Sequence, residues 1–387
     1  MIYLDNSATT QTDADVIKVM ADVMANVYGN PSSLHGLGVK AERLMEQARK
    51  IIAQELAASP QEIIFTSGGT EANNMAIKGV AEAYQHRGKH IITTELEHPS
   101  VYDTCKQLEQ RGWRISMLPV DHLGRVSPEL VEQSITEDTV LVSVMHVNNE
   151  IGTVQPISEI GKRLRRYPKV LFHVDAVQSF AKFPIYPEQW GIDLLSVSGH
   201  KFHGPKGIGC LYKRKNLQLT PLLAGGGQEQ ALRSGTQNLP GIVGLAKATA
   251  LAGKQRDAFM ERCRAWKEWL IQRITAEIKG VRVNGDVTGN GGAPYILSLS
   301  FPGLKSEVIV HALEQEGVVV SSKSACSSKK EVPSRVLKAI GLEDEAAVGS
   351  IRISMGLMTT EEEVRHAADA LLKVIPSLQQ VIKVRKR

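Results

Sequence analysis

The sequence predicts an α/β protein with a mostly parallel sheet and a second, smaller α/β domain after it. Up to Tyr212, short β-branched and apolar runs alternate with helical segments, which is typical of a parallel sheet covered on both faces. From Pro240 to Ile278 the pattern becomes long and helical, and strands resume only after it. The 387 residues also exceed what one hydrophobic core usually organises.

The predicted elements follow in order along the chain. Strands are predicted at residues 63–66, 90–96, 114–120, 139–147, 170–174, 193–197 and 208–212. Helices are predicted at 70–83 and 99–110, and Ser127-Pro128-Glu129 would start another helix well. In the second region a helix at 306–316 lies among strands at 295–301, 318–322 and 350–354.

Composition and charge exclude several classes of protein. The net charge of +5 is small and the basic residues are mixed with acidic ones, so direct nucleic-acid binding is not indicated. No apolar run approaches the roughly 20 residues that span a bilayer, and the N-terminus does not resemble a signal peptide. Cys105, Cys210, Cys263 and Cys326 are scattered, so neither a disulfide framework nor a metal site is predicted. We therefore expect a cytoplasmic protein without a membrane anchor.

Polar residues follow five of the predicted strands, at the point where each strand ends. These segments are Ser67-Gly68-Gly69-Thr70, Glu97-His98, Asn148-Asn149-Glu150, Asp175-Ala176-Val177-Gln178 and Ser198-Gly199-His200-Lys201. A glycine turn before a helix is common, so the first segment alone fits a structural turn as well as an anion site. Because parallel sheets bind ligands beyond the carboxyl ends of their strands, five polar ends on one edge predict a binding site.

The residue types in this set indicate one kind of chemistry. A lysine amine forms a Schiff base with an aldehyde, and a carboxylate keeps a pyridine nitrogen protonated. The N-terminus of the helix after the glycine turn can bind a phosphate group. Lysine, carboxylate and anion cup together therefore predict a pyridoxal phosphate site. This reading also explains why a charged amine, Lys201, stands between two apolar runs where burial is unfavourable.

Nine segments carry a resemblance to one known family. They are residues 3–10 (YLDNSATT), 66–73 (TSGGTEAN), 145–152 (MHVNNEIG), 173–176 (HVDA), 198–201 (SGHK), 225–229 (GGGQE), 233–236 (RSGT), 324–328 (SACSS) and 350–354 (SIRIS). In these segments the chain resembles the NifS/IscS-type cysteine desulfurases, class V enzymes of fold-type I that depend on pyridoxal phosphate. The resemblance implies a large cofactor-binding domain, residues 15–255, with a mostly parallel seven-stranded sheet. It implies a small domain, residues 1–14 and 256–387, that carries the catalytic cysteine loop.

The resemblance also implies which residues bind the cofactor. They are Gly69, Thr70, His98, Asn149, Asp175, Gln178, Ser198, His200, Lys201 and Thr236. Among them, Lys201 would form the Schiff base, Asp175 would face the pyridinium nitrogen, and His98 would stack on the ring and move protons. Gln178 would bond the ring hydroxyl, and Thr236 would reach the phosphate of the other subunit in a homodimer.

Two residues are implied to hold the substrate near its carboxylate. Asn149 and Arg352 match the family's residues for this role. Arginine suits it because a guanidinium can bind a carboxylate through two parallel hydrogen bonds.

Cys326 distinguishes sulfur transfer from other pyridoxal phosphate chemistry. It lies in Ser321-Ser322-Lys323-Ser324-Ala325-Cys326-Ser327-Ser328-Lys329-Lys330, with no bulky apolar residue to bury it. The nearby lysines favour a reactive thiolate, whereas the other three cysteines stand in helix or strand patterns and are predicted to be structural. The resemblance implies that Cys326 attacks the sulfur of bound L-cysteine, which gives L-alanine and an enzyme persulfide. Lys323 stands where many relatives have a small residue.

The expected function is a cysteine desulfurase that passes sulfur to an acceptor protein for iron–sulfur cluster assembly or tRNA or cofactor thiolation. One alternative is a selenocysteine lyase or another class V enzyme. A second alternative is a catalytically idle protein that only docks sulfur acceptors. Cys326 argues against a transaminase, and the joint presence of Lys201, Asp175, His98 and Arg352 argues against an idle protein.

Overall fold

The structure is a computed structural model that describes residues 1–322 and 333–385. The strands in those ranges are β1 (Ile2–Tyr3), β2 (Ile63–Thr66), β3 (His90–Thr94), β4 (Arg114–Leu118), β5 (Thr139–Met145), β6 (Leu171–Asp175), β7 (Leu194–Ser198), β8 (Gly209–Lys213), β9 (Arg282–Asn284), β10 (Ile296–Ser300), β11 (Val318–Val319) and β12 (Ser350–Ser354). The helices are α1 (Ala14–Asn26), α2 (Gly36–Glu55), α3 (Gly69–Tyr84), α4 (Pro99–Glu109), α5 (Pro128–Gln133), α6 (Ile157–Leu164), α7 (Pro187–Trp190), α8 (Leu239–Glu277), α9 (Ser306–Gln315), α10 (Arg335–Ala339), α11 (Asp344–Val348) and α12 (Glu361–Arg385). None of these helices is long and apolar enough to cross a membrane.

The central sheet has seven strands in the order β2-β8-β7-β6-β5-β3-β4. β8 runs antiparallel to both of its neighbours, β2 and β7, and the remaining pairs are parallel. The predicted mostly parallel seven-stranded sheet is therefore confirmed. Because β8 is antiparallel to both β2 and β7, these two strands run in the same direction. As a result the carboxyl ends of β2, β3, β5, β6 and β7 lie on one edge.

Helices cover both faces of this sheet, which is why its strands are continuous apolar runs rather than alternating ones. Met75 of α3 and Val101 of α4 belong to the core on one face. Ile52 of α2 and Leu245 in the first part of α8 belong to the core on the other. All seven residues of β5 are buried, as a central strand between two helical layers requires.

The C-terminal part of the chain builds a separate antiparallel sheet in the order β12-β10-β9. Its core includes the second half of α8 together with α9 and α12. Along α8 the change from one core to the other falls between Ala252 and Phe259. The predicted domains, residues 15–255 and residues 1–14 with 256–387, stay a prediction. The change of core along α8 lies near their predicted boundary at residue 255.

Five strands, β3, β4, β5, β10 and β11, are shorter than the sequence predicts, and contacts around three of them account for the difference. β3 ends at Thr94 and β5 at Met145, because the buried carboxylate of Glu97 intervenes. Its Oε1 accepts hydrogen bonds from Thr94 Oγ1 at 2.8 Å and from the Met145 N–H at 3.0 Å. β11 covers only Val318–Val319, since its partner β1 offers two residues, Ile2 and Tyr3.

Candidate active site

A cavity of about 180 Å³ lies at the carboxyl edge of the central sheet. Ten of the predicted site residues line it: Gly69, Thr70, His98, Asn149, Asp175, Gln178, Ser198, His200, Lys201 and Arg352. The strand ends that the sequence singled out therefore do converge. Thr236 is not among the lining residues, and Cys326 lies outside the described residues.

Asp175 is the last residue of β6 and is held from two sides. Its Oδ1 accepts a hydrogen bond from the Val177 N–H at 3.0 Å, and its Oδ2 accepts one from Asn73 Nδ2 at 2.8 Å. The two donors fix the orientation of the carboxylate. The side chain is buried but lines the cavity, so this charge is available to a bound group.

His98 caps the N-terminus of α4 and belongs to the same hydrogen-bond network. Its Nδ1 lies 2.8 Å from Ser100 Oγ, and the Ser100 N–H donates to the same nitrogen at 3.2 Å. Asn73 Nδ2 also donates to Ser100 Oγ at 2.8 Å, which connects the imidazole to Asp175 through two side chains. Burial lowers the pKa of His98, with a smaller opposing effect of Asp175. The ring is therefore neutral near pH 7 and can accept a proton.

Lys201 ends the 3₁₀ turn Gly199–Lys201 that follows β7. Its Nζ donates to the carbonyl oxygens of Ser7 at 2.6 Å and Ala8 at 2.8 Å. The N-terminal segment of the chain thus forms one wall of the site. His200 in the same turn contacts Thr9 Oγ1 through Nδ1 at 3.1 Å. Burial lowers the pKa of His200 to about 4, so its imidazole is neutral.

The glycine turn before α3 forms a narrow cup for an anion. Gly68 has φ +151°, and it provides no side-chain cap for the first N–H groups of the 16-residue helix. A Cβ atom on Gly69 would lie only 2.6 Å from Val177 Cγ2, so a side chain there would not fit without displacement. Uncapped N–H groups at the positive end of a helix favour a phosphate or carboxylate. The predicted anion site at this turn stays a prediction, and the uncapped N–H groups and the crowding around Gly69 support it.

Arg352 reaches the cavity from the middle of β12 and is almost fully buried, at 3% exposure. Its Nη1 donates to the Asn149 carbonyl oxygen at 2.8 Å, and its Nη2 donates to Asp5 Oδ1 at 2.6 Å. Its Nε is buried and has no hydrogen-bond partner. The guanidinium therefore keeps hydrogen-bonding capacity for a carboxylate ligand.

Sequence reasoning missed several residues that the structure places at the site. They are Asn73, Ser100, Asp5 and the backbone carbonyls of Ser7 and Ala8. Asn73 stands in a segment that reads simply as helix, and the N-terminal segment has no periodicity that would place it. Only its resemblance to a family segment drew attention to residues 3–10.

The described cysteines support the prediction that they are structural. Cys105, Cys210 and Cys263 are all buried in helices or strands. Burial raises the pKa of each thiol to about 12, so none of the three carries a thiolate near neutral pH.

The cavity fits pyridoxal phosphate by its own polar atoms. Gln178 Oε1, Asn73 Oδ1 and Ser7 Oγ are buried without a hydrogen-bond partner. Buried polar atoms are normally satisfied, so these three indicate that the site is completed by a polar ligand. The anion cup at Gly69 suits a phosphate, and Asp175 suits a protonated ring nitrogen.

Comparison with known proteins identifies the class. The chain belongs to the class-V aminotransferase family, whose model matches residues 2–366. Members of this family depend on pyridoxal phosphate, in agreement with the cofactor predicted from the site residues. The fold and the cofactor are thereby established for this chain.

Individual relatives are more specific. The chain is 44% identical to the cysteine desulfurase IscS of Dictyoglomus turgidum, over 98% of this chain and 96% of the relative. It is 46% identical to the putative cysteine desulfurase IscS 1 of Bacillus subtilis, over 97% and 99% of the two chains. Among solved structures, a NifS-like protein superimposes with a TM-score of 0.91 at 39% identity, over 97% of this chain and 100% of that one.

Proposed function

We propose that this chain is a cysteine desulfurase, which converts L-cysteine to L-alanine and transfers the sulfur to Cys326. One observation carries the proposal. An amine, a carboxylate and a guanidinium converge in one cavity, in a chain that matches proteins named cysteine desulfurase over nearly its full length. Pyridoxal phosphate, when bound, supplies an aldehyde that condenses with amines and a ring that accepts electrons.

The described residues divide the work around this cofactor. Lys201 would bind the cofactor aldehyde through its amine, which could also accept a proton from the substrate. Asp175 would face the ring nitrogen, and its two hydrogen bonds fix its orientation. His98 is a second acceptor, because burial keeps it neutral. Arg352 binds the substrate carboxylate, and the helix N-terminus at Gly69 binds the phosphate.

The ends of the segment that holds Cys326 support its role. Residues 323–332 are preceded by Ser321, whose carbonyl accepts the Arg352 N–H at 2.7 Å. They are followed by Arg335, whose Nη2 donates to the Glu97 carbonyl at 2.5 Å, directly before His98. The described residues on either side of this segment therefore lie close to Arg352 and His98.

In the sulfur step, the Cys326 thiolate attacks the sulfur of bound L-cysteine. The carbon–sulfur bond breaks, and a sulfur–sulfur bond forms on Cys326. The carbon takes up a proton, so L-cysteine and an enzyme thiol give L-alanine and an enzyme persulfide. This step needs an accessible thiolate, which none of the three described cysteines provides.

The test is Cys326→Ala, with Cys326→Ser as a second variant. Both should bind the cofactor and change its visible spectrum on addition of L-cysteine, yet release almost no alanine or sulfide. Cys263→Ala is the matched control, since Cys263 is buried in α8, and it should remain active. Wild-type turnover by Cys326→Ala would refute the desulfurase mechanism and favour a selenocysteine lyase. A protein that binds no pyridoxal phosphate would instead favour the idle docking protein.

We further propose a homodimer in which Thr236 reaches the phosphate of the partner's cofactor. Thr236 is exposed and absent from the cavity of its own chain, which fits a role in the other subunit. Met24, Tyr28 and Leu34 are large apolar residues with 65%, 74% and 98% exposure, as a surface covered by a second copy would have. Hybrids of a Lys201→Ala chain with a Thr236→Ala chain should regain activity, because one composite site is intact. Inactive hybrids of two impaired variants would exclude the shared site.

The sulfur acceptor and the compartment are also proposals. We expect a cytoplasmic enzyme that hands sulfur to an iron–sulfur scaffold or a tRNA- or cofactor-thiolating protein, without binding nucleic acid or membrane itself. The measurement is transfer of labelled persulfide sulfur from the loaded enzyme to each purified acceptor. Transfer at equal rates to an unrelated thiol protein would show that no dedicated acceptor exists.

A further inference from the structure

The arginine proposed to bind the substrate carboxylate already has a carboxylate beside it. Asp5 Oδ1 accepts a hydrogen bond from Arg352 Nη2 at 2.6 Å. The two residues are 347 positions apart, so this pair is made only by the folded chain. Arg352 lines the cavity, whereas Asp5 does not, so Asp5 contacts the guanidinium outside the space available to the substrate.

The position of Asp5 is fixed by the backbone around it. Residue 5 forms an isolated parallel bridge with Ser354, two residues beyond Arg352 on β12. The Tyr3 hydroxyl donates to the Asp5 carbonyl at 3.1 Å, and the Asn6 N–H donates to the Ser354 carbonyl at 3.2 Å. The backbone of residue 5 is therefore fixed next to β12, which places the short Asp5 side chain beside the Arg352 guanidinium.

A buried cation needs a counter-charge, because burial of an unpaired charge is strongly unfavourable. In the absence of substrate, Asp5 is the only carboxylate with a described ion pair to Arg352. When substrate binds, its carboxylate shares the guanidinium with Asp5, and the two negative charges repel each other. The same contact that stabilises the free enzyme therefore weakens the binding of the substrate carboxylate.

We propose that Asp5 is a positioning residue and resident counter-ion of Arg352, which sets the affinity of the active site for the carboxylate of its substrate. This inference rests on the proposed role of Arg352 in the desulfurase. Asp5 has two opposing effects on substrate binding. It orients the guanidinium of Arg352, which favours binding, and its negative charge repels the substrate carboxylate, which disfavours binding. The Asn149 carbonyl holds Nη1 of Arg352 independently of Asp5. When Asp5 is replaced, the gain in affinity from removing its charge should therefore exceed the loss in affinity from the weaker orientation of Arg352.

Asp5→Asn separates the two effects, because asparagine keeps an oxygen acceptor at the same place and removes the charge. The ligand is L-alanine, titrated into the holoenzyme in a low-anion buffer and followed by the visible absorption of the cofactor. Asp5→Asn should bind L-alanine at least about fivefold more tightly than the wild type, because the substitution removes the repulsion between the two carboxylates that share Arg352. A fivefold change corresponds to only part of that repulsion. Affinity for L-alaninamide, which has no carboxylate, should stay within about twofold. A purely structural change would alter both ligands alike.

Three further variants make the test decisive. Asp5→Ala removes charge and acceptor together and should also bind L-alanine more tightly than the wild type, but less tightly than Asp5→Asn. Asp193→Asn is the matched control, since Asp193 pairs with Arg214 at 2.6 Å at the amino end of β7, and L-alanine affinity should not change. Arg352→Gln should lose the preference for L-alanine over its amide.

The outcomes distinguish this inference from the proposed function. If Arg352→Gln loses the carboxylate preference and both Asp5 variants bind L-alanine more weakly than the wild type, Asp5 only orients the arginine and the inference is overturned. If Arg352→Gln keeps the preference, the proposed substrate-binding role of Arg352 fails and the inference fails with it. Neither readout involves turnover or Cys326, so both are independent of the desulfurase test.

Discussion

Asn73 links the two ionisable groups that flank the ring site, and its removal gives a direct test of that network. Its Nδ2 donates to Asp175 Oδ2 and to Ser100 Oγ, each at 2.8 Å, and Ser100 in turn contacts His98. The side chain is 1% exposed, although it lines the cavity. Asn73→Ala therefore leaves a buried carboxylate with one donor, the Val177 N–H.

The expected loss can be worked out from these contacts. A hydrogen bond to a charged group contributes about 1.5–3 kcal/mol, and a neutral one about 0.5–1.5 kcal/mol. Alanine recovers up to about 0.7 kcal/mol through its higher helix propensity. The free energy of unfolding should thus fall by about 1.3–4.5 kcal/mol in Asn73→Ala. Cofactor retention should fall as well, because Asp175 is less firmly oriented.

The assay is urea unfolding followed by far-UV circular dichroism, together with cofactor absorbance after dialysis. Asn74→Ala is the matched control on the same helix, since the Asn74 amide contacts neither Asp175 nor Ser100: its Nδ2 donates to the Thr70 carbonyl at 2.9 Å, and its Oδ1 accepts from Thr104 Oγ1 at 3.1 Å. In this variant Thr104 Oγ1 keeps its bond to the Ser100 carbonyl at 2.7 Å. Asn74→Ala should lose less than about 1 kcal/mol. If Asn73→Ala unfolds within about 0.5 kcal/mol of the wild type and keeps its cofactor, Asp175 does not depend on Asn73 and the network has no energetic role.

Three other predictions concern stability and cofactor binding. Glu229→Ala removes a carboxylate that accepts hydrogen bonds from both Nη atoms of Arg49 at 2.9 Å. The buried guanidinium then keeps only the half-exposed Glu46 as a counter-charge, so urea unfolding should show a loss of about 3–5 kcal/mol, and a loss smaller than about 1 kcal/mol would contradict this. Burial lowers the pKa of His173 to about 3. Between about pH 6.5 and 4 the imidazole therefore binds a proton only in the unfolded chain, so the free energy of unfolding falls by about 1.4 kcal/mol for each unit of decreasing pH. His173→Gln should therefore show an acid slope shallower by that amount in urea titrations from about pH 6 to 4.5, and an unchanged slope would exclude this contribution. Gly69→Ala places a Cβ 2.6 Å from Val177 Cγ2 and should weaken pyridoxal phosphate binding at least about tenfold by equilibrium dialysis, whereas wild-type affinity would show that the cup is not used.

The sequence predicts the sheet well because its strands are buried on both faces. Such strands are apolar runs, and polar residues begin where each strand leaves the core, as at Asp175 and Ser198. The strand direction of β8 could not be predicted in this way. Its pairing with β2 joins residues more than 140 positions apart, and no local pattern encodes such a partner.

The parts of the site that escaped prediction are those made by distant segments. The Ser7 and Ala8 carbonyls reach the cavity, and Asp5 reaches Arg352 behind it, only after the N-terminus packs beside β12. Backbone carbonyls have no signature in a sequence, since every residue has one. Asn73 was hidden for another reason, because a polar residue on a helix is ordinarily exposed and this one faces the sheet edge.

The docking of both chain ends at one cavity has a consequence for biosynthesis. β1 pairs with β11, and Asp5 pairs with Arg352, so the strand and ion-pair partners of residues 2–5 are made only in about the last fifth of the 387 residues. At about 5–20 residues per second, the N-terminal segment waits roughly 20–70 s on the ribosome before its partners emerge. The wall that receives Lys201 is therefore completed only after β12 has joined the N-terminal segment, so cofactor binding is expected late in folding.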